Sequence, residues 1–172
     1  DNSSTGIYAD SGLDLDKLSI TGNTISSNSG GGIYFNEISS AEVSFEDNTI
    51  TNNGSTGLYL SGGGSSISYS TVTISGNTVS NNDSDGIYIN VVTDSAIDIL
   101  GNTVSSNSNS GIYLCAEGEC TNSTLNINEN SVSGNGYNGI YLYSIFGSTV
   151  SVDENEILSN SETGLYFQYI GT

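Results

Sequence analysis

Leu18-Ser19-Ile20-Thr21-Gly22-Asn23-Thr24-Ile25-Ser26-Ser27-Asn28-Ser29-Gly30-Gly31-Gly32-Ile33-Tyr34-Phe35 is the first complete copy of a motif that this chain repeats. Its pattern is aliphatic-x-apolar-x-x-Asn-x-Ile/Val-x-x-Asn-x-x-x-Gly-Ile/Leu-Tyr-apolar. Six full copies span residues 18–35, 43–60, 72–89, 97–114, 125–142 and 150–167, with no insertion inside the motif. A partial copy occupies residues 2–9 and ends in Gly6-Ile7-Tyr8-Ala9. Copies begin every 25 to 29 residues, and self-similarity at such a period marks a solenoid, in which each repeat buries its apolar face against its neighbours. We therefore expect one domain over residues 1–172, and the residues that break the repeat are the informative ones.

Within a copy, Leu18 and Ile20 alternate with polar residues, as a half-buried strand requires. Thr24-Ile25-Ser26 reads as a second short strand with Ile25 inward. Gly32-Ile33-Tyr34-Phe35 reads as a third, with Ile33 and Phe35 on one face and Tyr34 on the other. Three short strands joined by polar turns, without a helix-period segment, describe one coil of an all-β, single-stranded parallel β-helix. The crossover rule makes it right-handed. A leucine-rich repeat has a similar period, but its consensus places no second Asn column and no Gly-Ile-Tyr strand.

Two Asn columns follow from the register: Asn23, Asn48, Asn77, Asn102, Asn130 and Asn155; and Asn28, Asn53, Asn82, Asn107, Asn135 and Asn160, with Asn2 opening the second. Asn tolerates the left-handed backbone of tight turns, and its amide can bond neighbouring coils, so each column is expected to be an amide ladder. The Gly column (Gly6, Gly32, Gly57, Gly86, Gly111, Gly139, Gly164) marks a place with no room for a side chain. Tyr8, Tyr34, Tyr59, Tyr88, Tyr113, Tyr141 and Tyr166 should form one outward column. It is a scaffold of stacked rings, a strip for sugars, or a lateral contact between rods. Length varies only in the loop from the third strand to the next coil; residues 61–71 and 115–124 are the longest of these loops. Variation confined to one edge of a solenoid marks the side free to bind.

Charge narrows the partners. Nineteen acidic residues face one base, Lys17, with no Arg and no His, for a net charge of −18. Nothing here neutralises phosphates, which argues against nucleic acid and equally against an anionic membrane surface. No apolar run reaches the length of a membrane span. Cations and neutral or basic surfaces remain compatible. Cys115 and Cys120 bracket a short loop; with no His and no other Cys, a disulfide is the expected pairing and favours an extracellular or cell-surface setting. The lack of Met fits a processed or excised chain.

The motif Gly22-Asn23-Thr24-Ile25-Ser26 through Gly32-Ile33-Tyr34 resembles the right-handed parallel β-helix repeats of the pectate-lyase-like superfamily, in the form carried by bacterial and archaeal surface proteins. The resemblance covers residues 2–170. It implies the fold; because one fold hosts many activities, it implies little about chemistry. The lyases of that superfamily use Arg or Lys with calcium, and its galacturonan hydrolases use clustered Asp with His. This chain has no Arg, no His and a single Lys, so neither constellation transfers to any residue, and a non-enzymatic protein is expected.

Some carboxylates fall at positions with possible chemistry. Glu129 and Glu154 share a repeat position in adjacent coils, close to the separation used by retaining glycosidases, although a solvated acidic edge is the simpler expectation. Asn82-Asp83-Ser84-Asp85-Gly86 concentrates oxygen ligands, making Asp83 and Asp85 a candidate calcium pair; Asp14-x-Asp16 is a weaker one. No other cofactor is implied. Asn122, in the loop beside Cys120, is the one sequon of four expected to be free to carry a glycan. The chain opens just before a third strand and stops just after one, without a polar cap. Bare coil ends template further pairing. The sequence thus points first to a structural protein that self-associates end to end into a surface layer or filament. The alternative is a carbohydrate-binding β-helix whose partner is a polysaccharide.

Overall fold

In the computed structural model, which describes residues 2–10, 15–61 and 65–171, these residues form a parallel β-solenoid with no helix. The first strands of successive coils are Lys17–Thr21, Glu42–Glu46, Thr71–Ser75, Ala96–Leu100, Thr124–Asn128 and Thr149–Asp153. They pair in that order into a six-stranded sheet. The second strands, Thr24–Ser26, Thr49–Thr51, Thr78–Ser80, Thr103–Ser105, Ser131–Ser133 and Glu156–Leu158, build another sheet of six. Third strands run from Ile7–Ala9 through Ile33–Phe35, Leu58–Leu60, Ile87–Ile89 and Ile112–Leu114 to Ile140–Phe146 and Leu165–Gly171. Every pairing is parallel and in repeat register: Ile33 lies opposite Leu58, Tyr34 opposite Tyr59 and Val72 opposite Ile97. A one-residue slip would turn each apolar column to solvent, so burial itself holds the register.

The variable loop carries a feature absent from the sequence reading. Ile38–Ser39, Ile67–Ser68, Val92–Thr93 and Cys120–Thr121 are two-residue strands that stack on one another and join the third-strand sheet. In the last two coils they merge with the third strand, so that Cys120 pairs with Ile145 and Ile145 with Ile170. Their inward residues, Ile38, Ile67, Val92, Cys120 and Ile145, are fully buried. The core is a stack of inward columns, among them Phe45, Ile74, Ile99 and Ile127, all at 0% exposure. Each such side chain contributes roughly 1.5–3 kcal/mol on leaving water.

Both Asn columns form ladders, but the backbone explanation shifts by one residue. The left-handed residues are Gly22, Asp47, Gly76, Gly101, Glu129 and Glu154 beside the first column, and Ser27, Asn52, Asn81, Ser106, Gly134 and Ser159 beside the second. Each immediately precedes a ladder Asn. The left-handed residue turns the chain, and the turn throws the next side chain inward. Asn is therefore selected for the reach of its amide rather than for its backbone tolerance. In the centre of the stack, Asn107 Oδ1 accepts both the backbone N–H and the Nδ2–H of Asn82, at 3.1 and 2.9 Å. A third ladder runs along the corner after the two-residue strands. The backbone N–H of Ala41 donates to Ser70 Oγ, Ser70 N–H to Ser95, Ser95 N–H to Ser123 and Ser123 N–H to Ser148. Ser40, Tyr69, Asp94, Asn122 and Gly147, each just ahead of its member, are again left-handed. One device turns all three corners.

Candidate functional site

The Tyr column lies on the outward face of the third-strand sheet. Tyr8, Tyr34, Tyr59 and Tyr88 stack with centroids 4.7–5.0 Å apart, nearly parallel from Tyr34 to Tyr88. Tyr113, Tyr141 and Tyr166 form a second stack. Between them the column breaks: Tyr88 meets Tyr113 edge-on, with planes at 78°. In the stacks the rings turn their faces largely to one another, so the surface receives mainly ring edges and hydroxyls. The break coincides with the loop closed by the Cys115–Cys120 disulfide. That loop folds against the column, and Tyr113 Oη donates to the Ala116 carbonyl at 3.3 Å.

Beside the first stack runs a groove of about 550 Å³, lined by Tyr34, Tyr59 and Tyr88, by Ser55, Thr56 and Ser84, and by Asp85 and Glu117. It crosses several successive coils, whose spacing is about 4.8 Å. Gly30 and Gly31 widen one end; a Cβ on Gly31 would sit 2.9 Å from the Thr56 carbonyl. Both carboxylates in the groove are departures from the repeat. The position of Asp85 is held elsewhere by Thr5, Gly31, Thr56, Ser110, Asn138 and Thr163. Glu117 belongs to a loop insertion, and its backbone N–H is held at 2.7 Å by Asn90 Oδ1.

Asp85 is 4% exposed. Its Oδ1 accepts the Ser110 backbone N–H at 2.9 Å and its Oδ2 accepts Asn109 Nδ2–H at 3.1 Å. Burial pushes its pKa up, and these hydrogen bonds offset only part of the shift. The Tyr59 and Tyr88 hydroxyls are also pushed up, first by burial and then by the nearby Glu117 carboxylate. Asn138 does for Thr163 what Asp85 does for Ser110, accepting its backbone N–H at 3.1 Å. Asp85→Asn should therefore keep the acceptor while removing the buried charge; Asn109, which is exposed, can turn away. A carboxyl whose folded pKa is raised contributes most stability below the ordinary carboxylate range and loses it as pH rises through the folded value. Thermal melts should accordingly show Asp85→Asn above the parent at pH 7, by about 2–4 °C. The gap should close near pH 3; a gap that widened in acid would contradict the burial assignment.

The remaining residues singled out in the sequence are dispersed. Asp83 is exposed and lines a different, polar groove with Asn28 and Asn53, so the two members of the candidate calcium pair do not share a cleft. Asp16 is exposed, while Asp14 and part of the loop from Ser61 lie outside the described residues. Among the described residues no three His, Cys, Asp or Glu side chains gather as a metal site. Glu129 and Glu154 are exposed corner residues, and neither lines the Tyr groove. Asn122 is exposed at its corner, as a glycan acceptor must be, whereas Asn53 and Asn82 are buried. Asn2, expected to be buried with its column, is exposed because its coil is partial, although its amide bonds Asn28. The groove itself is not visible in the sequence. Its one signal there is that Asp85 and the disulfide loop both interrupt the repeat.

The model of the right-handed β-helix region matches residues 1–157 of the chain. The protein belongs to the right-handed β-helix family. No curated protein and no solved structure matches it. The family accommodates both enzymes and non-enzymes, so membership leaves the chemistry of this β-helix to its own groove. Its disulfide is compatible with an extracellular location, and no described helix is long and apolar enough to cross a membrane.

Proposed function

We propose that this β-helix is a carbohydrate-binding module whose glycan lies along the Tyr34–Tyr59–Tyr88 groove. The observation that carries the reading is the convergence of two repeat-breaking elements, Asp85 and the disulfide-closed Glu117 loop, on a groove that follows the first Tyr stack. Tyr, Ser and Thr hydroxyls along the groove supply donors and acceptors in a row, and ring edges supply apolar contact. That combination suits a polyhydroxylated chain lying parallel to the solenoid axis. Tyr59→Phe leaves the ring stack in place and removes one hydroxyl from the middle of the groove. It should weaken oligosaccharide binding about three- to tenfold, whereas Tyr141→Phe, in the second stack, should leave it unchanged. Equal affinity of all three proteins in a calorimetric titration would count against this groove.

End-to-end self-association is the second reading, supported by the parallel, in-register pairing of successive coils, a pattern that a second copy could continue. Electron microscopy with light scattering, at low salt, high salt and with added calcium, tests it. Filaments should repeat at roughly 30–35 Å per copy, the rise of about seven coils. Short monodisperse rods in every condition would eliminate assembly.

A further inference from the structure

We propose that the groove selects cationic glycans, oligomers of amino sugars with free ammonium groups, over neutral and acidic ones; the inference rests on the glycan reading above. Its basis is where charge breaks an otherwise neutral pattern. Of the seven residues at the Asp85 position, Asp85 alone is charged, and it lines the groove. Glu117 is brought to the same groove by a loop that is held at three points: the Cys115–Cys120 bond, the Asn90 Oδ1 contact to its backbone N–H, and the Tyr113 hydroxyl on Ala116. A loop pinned on both sides of an exposed carboxylate loses little freedom when that carboxylate takes a partner. No compensating cation is at hand. Lys17, the chain's one base, lies in the first-strand sheet with its Nζ 2.6 Å from Glu42 Oε1. A uronic-acid chain would place like charge against the exposed Glu117 carboxylate, whereas an ammonium on the sugar ring would answer it. Asp85 lines the groove as a buried carboxyl whose oxygens already accept the Ser110 and Asn109 N–H groups. An ammonium–carboxylate hydrogen bond is roughly twice as strong as a neutral one.

Three hexasaccharide probes test the assignment: glucosamine, N-acetylglucosamine and galacturonic acid hexamers, titrated against the full chain by calorimetry or by tyrosine fluorescence. The glucosamine hexamer should bind about tenfold more tightly than the N-acetylated one, and the galacturonate hexamer weakest. Because a chain of net charge −18 attracts any polycation, the decisive comparison is between Glu117→Gln and Glu154→Gln, the latter on an exposed corner that does not line the groove. Glu117→Gln should lower glucosamine affinity about fivefold and leave N-acetylglucosamine affinity as it was, while Glu154→Gln changes neither. Equal losses in the two variants would assign the preference to bulk charge and overturn the proposal. Equal binding of the neutral and cationic hexamers, or tightest binding of galacturonate, would overturn the selectivity and leave the glycan reading standing. Binding of none of the three would bring down both.

Discussion

Asn107→Ala should be among the most damaging single substitutions in the chain, costing about 3–5 kcal/mol of stability, because several buried polar groups lose partners at once. Asn107 is 1% exposed. Its Oδ1 holds two N–H groups of Asn82, and its Nδ2 donates to the Val79 carbonyl and to Asn135 Oδ1, each at 3.1 Å. Alanine leaves the Asn82 backbone N–H without an acceptor in the middle of the stack, where water does not reach. The damage should remain local at first, since a solenoid is stabilised repeat by repeat through nearest-neighbour interfaces. Hydrogen exchange should therefore accelerate in the coils around Asn82 and Asn107 before those near Asn23. Asn2→Ala is the matched control. Asn2 makes the same Nδ2 contact to Asn28, at 2.9 Å, but is exposed, so its loss should cost less than about 1 kcal/mol. Equal urea midpoints for the two variants would show that the ladder does not stabilise the core as argued.

Gly86→Ala should cost about 3 kcal/mol for a different reason. An added Cβ would lie 2.6 Å from both the Gly111 carbonyl oxygen and Val104 Cγ1, and 2.8 Å from Asn107 Nδ2. The backbone of Gly86 needs no left-handed conformation; the conflict is with the next coil, whose Gly111 carbonyl is already fixed by the Ile87 N–H at 2.9 Å. Relief requires that two coils move apart, which breaks the ladder beside them. Gly101→Ala isolates the other glycine effect. Gly101 sits at φ +61° with nothing within 4 Å of where a Cβ would stand, so its cost is conformational alone, about 1–2 kcal/mol. Thermal melts should rank the parent above Gly101→Ala and Gly101→Ala above Gly86→Ala. The reverse order would mean that coil spacing is more compliant than its packing implies.

Much of this molecule is legible in one dimension because its long-range contacts are repeats of a single short-range pattern. Once Val72 is known to stack on Val43, the positions of Asn77, Gly86 and Tyr88 over their counterparts follow, since no insertion interrupts the motif between them. The serine ladder obeys the same logic: Ser70, Ser95, Ser123 and Ser148 each stand two residues before a first-strand aliphatic. It is hidden because it lies in the loop of variable length, where register has to be counted backwards from the next coil. The two-residue strands are hidden for a related reason, being too short to show an alternation. The left-handed residues fall one position earlier than the Asn to which the sequence assigns them. A sequence records which side chain is needed at a corner and not which residue turns the chain.

What the sequence determined by itself is everything that scales with the period: the parallel coils, the inward aliphatic columns, the amide ladders and the outward tyrosines. Each follows from local alternation and in-register stacking. Tertiary structure alone decided the site. Asp85 and Glu117 are 32 positions apart and on different coils, and only the fold of a disulfide-closed insertion brings the second beside the groove that the first lines. Asp83, two residues from Asp85, is sent to another groove by the turn between them. A repeat dictates its own stacking because every coil solves the same packing problem. An insertion has no counterpart in the neighbouring coils, and its path is set by contacts that no periodicity encodes.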